Sequence, residues 1–112
     1  MGMDSSEKRA LAMTGRSDSE AAGLRVCAAR LFAGLSKAEL AESIGRGRTL
    51  VANIERGLSF PSRELMLFFY QEHRLDFNYF IVGDYAQLPA GVLDRLFDCL
   101  ADAKQDVAQK GN

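Results

Sequence analysis

The sequence predicts an all-α fold, and three observations support this prediction. Apolar residues recur three and four positions apart from about residue 20 onward, which is the spacing of one face of a helix. Glycines interrupt this pattern at short intervals, as expected between short helices. No stretch alternates apolar and polar residues as a half-buried strand would. With 112 residues, the chain suits one small domain.

Composition excludes several classes of protein. At 47% hydrophobic residues the chain is too apolar to be disordered, and it lacks the run of about 18 apolar residues that a membrane span needs. Its N-terminal segment lacks the apolar stretch of a signal peptide, which favours a cytoplasmic protein. Cys27 and Cys99 lie far apart, without the spacing of metal ligands. We therefore expect two reduced cysteines rather than a disulfide, and no metal or other cofactor.

Local composition divides the chain into four parts. Residues 1–19 are polar and rich in Ser, and we expect a flexible arm there, which can carry a helical turn or two. Residues 20–83 contain the dense helical pattern and form the main domain. Residues 84–90 hold the second of two prolines and are typical of a linker. Residues 91–112 have the pattern of one C-terminal helix.

The first two helices of the main domain are marked by their ends. The first stops near Gly34, after four apolar residues at helical spacing: Leu24, Cys27, Ala28 and Leu31. Ser36 then begins the second, and Glu39 follows three residues later, which is the pattern of a capping box. This second helix is short, because Gly45 interrupts it.

A third helix follows after a three-residue turn, Gly45 to Gly47. It runs through RTLVANIE to Gly57, and its spacing predicts that Val51 and Ile54 are buried. Two short helices joined by a glycine-containing turn of this length form a helix-turn-helix, whose second helix can enter the major groove of DNA.

The segment from Gly23 to Gly83 resembles the helix-turn-helix domain of the Cro and phage-repressor (xenobiotic-response-element, XRE) family of regulators. No single matching feature is specific, but their order and spacing together are. The matching residues are Leu24-Arg25, Arg30, Gly34-Leu35-Ser36, Glu39-Leu40-Ala41, Ile44-Gly45, Val51, Ile54-Glu55, Gly57, Pro61-Ser62 and the apolar stretch from Phe77 to Gly83.

This resemblance implies a fold and a function. The fold is a five-helix, lambda-repressor-like domain, to which this chain adds a C-terminal amphipathic helix. The implied function is that of a dimeric regulator, most often a repressor, which reads a palindromic operator in double-stranded DNA with the recognition helix near residues 48–55. The family also implies a cytoplasmic, nucleoid-associated protein encoded by a bacterium or a phage.

The resemblance also implies which residues touch DNA. The residues implied to contact bases are Arg48, Thr49 and Asn53, since arginine can pair bidentately with guanine and asparagine with adenine. The alternative for each is an ordinary surface residue, or a local helix cap in the case of Thr49. Phosphate contacts fall to four residues near the helix ends: Ser36, Lys37, Arg46 and Arg56.

A different pair, Arg30 and Glu55, corresponds to a shielded ion pair in the family that fixes the angle of the recognition helix. We expect both residues to be structural. The sequence departs from the family at Gly47, where Ser or Thr is usual, and at Leu50, which could meet DNA, a partner protein or the core. His73 could be a pH sensor or a partly buried histidine. Arg74 lies where glycine commonly ends a helix, so either this helix ends differently or Arg74 is left-handed.

The C-terminal helix combines an apolar stripe with an acidic one. Aspartates recur every four residues from Asp94 to Asp106, and such like-charge repeats destabilise an isolated helix, so its apolar face needs a cover. We expect a homodimer through this face, with packing inside the chain as the alternative. The residues assigned to dimerisation are Leu93, Leu96, Phe97, Leu100 and Val107.

Net charge and missing motifs complete the functional argument. The total of −1 conceals a polarised chain, because residues 1–60 carry nine basic against seven acidic residues and residues 61–112 carry five against eight. No P-loop, GxSxG or HExxH motif is present, so we do not expect an enzyme. Two other functions stay open: an antitoxin or adaptor that binds a partner protein such as a toxin, and an activator that contacts RNA polymerase through Asp94 to Asp106.

Overall fold

A computed structural model describes residues 3–110, with side chains described for residues 3–106. Over this range the chain forms seven helices and no strand, which confirms the all-α prediction. No helix among the described residues is long and apolar enough to cross a membrane. The helices are α1 (Ser5–Ala12), α2 (Ser19–Ala33), α3 (Lys37–Ser43), α4 (Arg48–Glu55), α5 (Arg63–His73), α6 (Phe77–Val82) and α7 (Ala90–Lys110).

Side chains at the helix starts explain where most of these helices begin. In each capped helix an oxygen of the preceding Ser or Asp accepts a hydrogen bond from the amide three residues later. These caps are Asp4, Asp18, Ser36, Ser62 and Asp76. α4 differs, because its cap Gly47 has no side chain to bond.

Helix α2 is the centre of the fold. Every residue from Ala21 to Arg30 is buried, and α2 packs against α4, α6 and α7. A helix that is buried on all sides must be surrounded by other elements, which explains its weak amphipathic pattern. The largest apolar side chains with no exposed surface come from the helices around it: Leu40, Ile54, Leu65, Phe69, Tyr79, Phe80, Leu96 and Leu100.

The N-terminal segment differs from the flexible arm that was predicted for residues 1–19. Residues 5–12 form α1, which packs against α7. Its start has a complete capping box between Asp4 and Glu7, and Lys104 donates a hydrogen bond to the carbonyl of Ala10 at 3.1 Å. Ala12 has no exposed surface. The helical turns allowed in the arm are thus present as α1, which packs against the rest of the domain.

Arg25 anchors that N-terminal segment. Its side chain has no exposed surface and donates to the carbonyls of Ala12, Met13, Arg16 and Phe80 at 2.7 to 3.1 Å. Carbonyls at helix C-termini lack partners within the helix and carry the negative end of the helix dipole. They therefore compensate a buried guanidinium that, among the described side chains, has no carboxylate within hydrogen-bond distance. Burial still lowers the pKa of Arg25.

Helix α7 packs within the chain. Leu96 and Leu100 have no exposed surface and Phe97 is 3% exposed, because α7 lies against α2 and α1. This corrects the assignment of these three residues to a dimer interface and matches the alternative of intramolecular packing. Leu93 is half-buried. Val107 also belongs to α7, but its side chain lies outside the described residues.

Residues 84–90 do not separate two independent units. Leu88 is buried, and the ring of Tyr85 meets that of Phe97 at 5.0 Å between centroids. Residues 20–83 and α7 thus share one hydrophobic core. The predicted linker is a packed connection.

His73 ends α5 inside an aromatic cluster. Its ring lies 5.5 Å from Phe68, 5.8 Å from Phe69 and 6.4 Å from Phe32, measured between centroids. Partial burial lowers the pKa of this histidine. The next residue, Arg74, takes the left-handed conformation with φ of 63°. Of the two alternatives for the end of α5, the structure therefore shows the second: the helix ends at a left-handed residue, and that residue is arginine instead of the usual glycine.

Candidate nucleic-acid interface

Helices α3 and α4 form a compact unit around a short turn. Gly45 has φ of 68°, a left-handed conformation that glycine adopts without strain. The amide of Arg46 donates to the carbonyl of Ala41 at 2.9 Å, which closes the end of α3. Leu40 and Ala41 are buried on α3 and Val51 and Ile54 on α4. The two helices and the turn are therefore held as one body against the core.

Ser36 and Glu39 form the expected capping box at the start of α3. The Ser36 hydroxyl accepts from the Glu39 amide at 3.0 Å, and the Glu39 carboxylate accepts from the Ser36 amide at 2.8 Å. These bonds lower the pKa of Glu39. Ser36 itself is exposed to solvent.

The outer face of α4 is polar. At 100° per residue, Thr49, Asn53 and Arg56 lie opposite the buried Val51 and Ile54. Thr49 and Arg56 are exposed, and Asn53 is half-buried. The structure therefore brings three of the residues assigned to DNA onto one face of this helix.

The other assigned residues surround this face. Arg48 is exposed in the first turn of α4, at the edge of the polar face, and Arg46 is exposed in the turn before it. Lys37 is half-buried at the start of α3. Leu50 packs partly against the core, which favours the core contact among the three alternatives for this residue.

Arg30 and Glu55 meet as a bidentate ion pair. Arg30 Nε and Nη2 lie 2.6 and 3.0 Å from the two carboxylate oxygens of Glu55, and both side chains are largely buried, at 11% and 6% exposed. Arg30 also donates to the carbonyl of Leu35 at 3.0 Å. Burial acts against the charged guanidinium, but the bonds to Glu55 outweigh it and raise the pKa of Arg30.

Gly23 lets α2 and α4 approach each other, a role that the sequence analysis missed. A Cβ at this position would collide with the carbonyl oxygen of Ile54 and lie 3.2 Å from that of Glu55. An isolated glycine inside a helical pattern is a signal of close packing and could have pointed to this contact. The position of α4 therefore depends on the absence of a side chain at Gly23.

Arg46 lies close to an acidic residue, a contact that the sequence did not indicate. Its Nη1 lies 3.7 Å from a carboxylate oxygen of Glu64, in the first turn of α5. Both side chains are about half exposed, at 48% and 54%. The N-terminus of α5 is thereby placed beside the turn that precedes α4.

Both cysteines, Cys27 and Cys99, are free thiols in the structure. Cys27 is buried, and burial raises its pKa to about 12. Burial also raises the pKa of Cys99 on α7. Among the described residues, no group of three or more His, Cys, Asp or Glu side chains is placed to hold a metal ion.

Comparison with known proteins adds no further assignment. No protein-family model, no curated protein and no solved structure matches the chain. The functional argument therefore rests on the geometry of α3, α4 and the residues around them.

Proposed function

We propose that this protein is a sequence-specific DNA-binding regulator of the Cro and phage-repressor type, with α4 as its recognition helix. The observation that carries the proposal is the division of α4 into two faces. One face is locked to the core by Val51, Ile54 and the Glu55 ion pair. The other presents polar and basic side chains to solvent on a helix whose start is exposed.

The charges around α4 support this proposal. Three acidic side chains in the neighbourhood already face other groups of the protein: Glu39 caps α3, Glu55 binds Arg30, and Glu64 lies 3.7 Å from Arg46. The exposed arginines Arg48 and Arg56 are not neutralised by those acids. A negative total charge of −1 is thus compatible with a locally positive surface, and phosphate attraction depends on local charge.

Specific recognition would come from the polar face of α4. In the major groove, Arg48 can donate two hydrogen bonds to guanine O6 and N7, and Asn53 can pair with adenine. Each such contact distinguishes the right base by about 1–3 kcal/mol. Lys37, Arg46, Arg56 and the capped start of α3 would position the protein on phosphates.

A homodimer on a palindromic operator belongs to the same proposal, with one change from the sequence-based version. The buried residues of α7 cannot form its interface without unfolding the core. Exposed large apolar side chains lie elsewhere among the described residues, at Leu31, Leu58, Phe60 and Tyr70. Two copies would present two recognition helices to half-sites about 34 Å apart, and the bound dimer would repress by occluding a promoter.

Selection of bound sequences from a random DNA pool tests this function. Wild type should enrich one motif, and a dimer should enrich two inverted copies about 10 base pairs apart. Arg48→Ala and Asn53→Ala should each relax the motif at one or two positions. Arg9→Ala, which removes an exposed arginine from α1, serves as the control and should leave the motif unchanged. A wild-type protein that enriches no motif contradicts the proposal.

A further inference from the structure

The ion pair between Arg46 and Glu64 occupies a side chain that the proposed function assigns to DNA phosphate. Arg46 lies in the turn before the recognition helix, and the carboxylate of Glu64 lies 3.7 Å from its guanidinium. A carboxylate and a phosphate offer similar oxygen acceptors to a guanidinium. The free protein therefore places beside Arg46 an internal carboxylate, which is an acceptor of the same chemical kind as a phosphate.

We propose that Glu64 restrains DNA binding by competing with phosphate for Arg46. This inference rests on the proposed function and adds a regulatory residue to its site. Glu64 belongs to α5, outside the helix-turn-helix, and no base or phosphate contact was assigned to it. Its effect is exerted through Arg46, so that DNA must displace an intramolecular acceptor before it gains this contact.

The exposure of the pair suits such a competition. Both side chains are about half exposed, so DNA can reach the guanidinium without disturbing the core. Exposed ion pairs are weak, which makes this one breakable at modest cost. The buried Arg30–Glu55 pair differs in both respects, because it is shielded and bidentate and holds α4 in place.

The contact with Glu64 is expected to lower the affinity of the protein for DNA of arbitrary sequence. Phosphate contacts supply essentially all of non-specific binding, so any residue that occupies a phosphate-binding arginine weakens that mode. Removing the Glu64 charge should tighten binding to mixed-sequence DNA about two- to fivefold, which corresponds to the usual strength of an exposed pair.

A double-mutant cycle tests the inference with a mixed-sequence DNA duplex as the probe. Dissociation constants are measured by fluorescence anisotropy at low ionic strength, where screening is weakest, for wild type, Glu64→Gln, Arg46→Gln and the double variant. We expect Glu64→Gln to bind more tightly and Arg46→Gln more weakly. In the Arg46→Gln background, Glu64→Gln should change the affinity little, because no guanidinium remains at position 46 for which Glu64 and phosphate compete.

Glu72→Gln is the matched control, since Glu72 is an exposed glutamate on the same helix near its other end. It changes net charge by the same amount and should tighten binding less than Glu64→Gln. Thermal unfolding monitored by circular dichroism verifies that each variant is folded.

Three outcomes overturn the inference while wild type still binds DNA. These are an unchanged affinity for Glu64→Gln, a gain that persists in the Arg46→Gln background, and an equal gain for Glu72→Gln. The second would show that Glu64 repels DNA directly, and the third that only bulk charge matters. If wild type binds neither this duplex nor any selected sequence, the proposed function itself fails, and the inference fails with it.

Discussion

Arg30 and Glu55 join the central helix α2 to the last residue of α4 through two hydrogen bonds of 2.6 and 3.0 Å. The same guanidinium also binds the carbonyl of Leu35, in the connection between α2 and α3. The buried side chain of Arg30 thus links α2 to both the α2–α3 connection and the end of α4. Because the pair lies at the end of the helix that we assign to DNA, it sets the orientation in which that helix is presented.

Glu55→Ala should destabilise the fold strongly. It leaves the Arg30 guanidinium buried without its charge partner, which costs about 3–5 kcal/mol in buried pairs. The free energy of unfolding is measured by urea denaturation at neutral pH. The double variant Arg30→Met with Glu55→Leu should recover much of the loss, because it removes both charges together. A Glu55→Ala protein as stable as wild type would show that the pair contributes nothing.

Gly23→Ala should also destabilise the protein and weaken DNA binding. The added methyl group would collide with the backbone carbonyl of Ile54, so α4 must move away from α2. Overpacking of this kind costs about 1–3 kcal/mol. Gly91→Ala on α7 is the matched control, since a Cβ there meets nothing within 4 Å and should stabilise the helix by up to about 1 kcal/mol. Equal melting temperatures for the two variants would contradict the close contact.

The stability of the protein should fall as the pH decreases from about 7.5 to 5.5, because of His73. Burial lowers the pKa of His73 in the folded state; nearby Glu72 opposes this shift and Arg95 adds to it. The imidazole of His73 therefore takes up a proton near pH 6.5 in the unfolded chain, and only at a lower pH in the folded protein. The contribution of His73 to the free energy of unfolding is therefore fully present above pH 6.5 and is lost as the pH falls below that value.

His73→Gln should remove this dependence. His73 is the single histidine of the chain, so no other side chain with an ordinary pKa titrates in that range. Urea midpoints at the two ends of the range measure the effect. A wild-type midpoint that rises on acidification would contradict the direction of the pKa shift, and an unchanged slope in the variant would contradict the assignment to His73.

Leu100→Ala should unfold or destabilise the chain rather than separate two subunits. Leu100 has no exposed surface within a single chain, and removing a buried leucine typically costs about 2–5 kcal/mol. Urea denaturation combined with analytical ultracentrifugation measures stability and oligomeric state together. A variant that keeps wild-type stability per subunit but dissociates from dimer to monomer would restore the dimerisation role of α7.

The sequence predicted best those elements whose signals are local. The capping box of Ser36 and Glu39 and the left-handed Gly45 are each determined within a few residues, so the ends of α3 and the turn could be anticipated. The amphipathic pattern of α7 showed that one face is buried, but periodicity does not specify the partner. The structure supplies that partner, which is α2 of the same chain.

Contacts between distant parts of the sequence could not be predicted. Helix α1 carries a local capping box, yet its position depends on Arg25, whose side chain binds carbonyls on both α1 and α6. The approach of Arg46 to Glu64 likewise depends on how α5 leaves the core. At the candidate interface, the sequence supplied the residue types, and only the fold shows which of them share the exposed face of α4.

The most direct test of base recognition by α4 is to measure the specificity ratio of the Arg48→Ala variant and of wild type. This ratio is the affinity for the selected site divided by the affinity for a mixed-sequence duplex, both measured at one salt concentration. The variant should lose about 1–3 kcal/mol on the selected site and much less on the mixed duplex, whereas Lys37→Ala should weaken both equally. An Arg48→Ala protein that loses affinity equally on both duplexes, or on neither, would contradict base recognition by this helix.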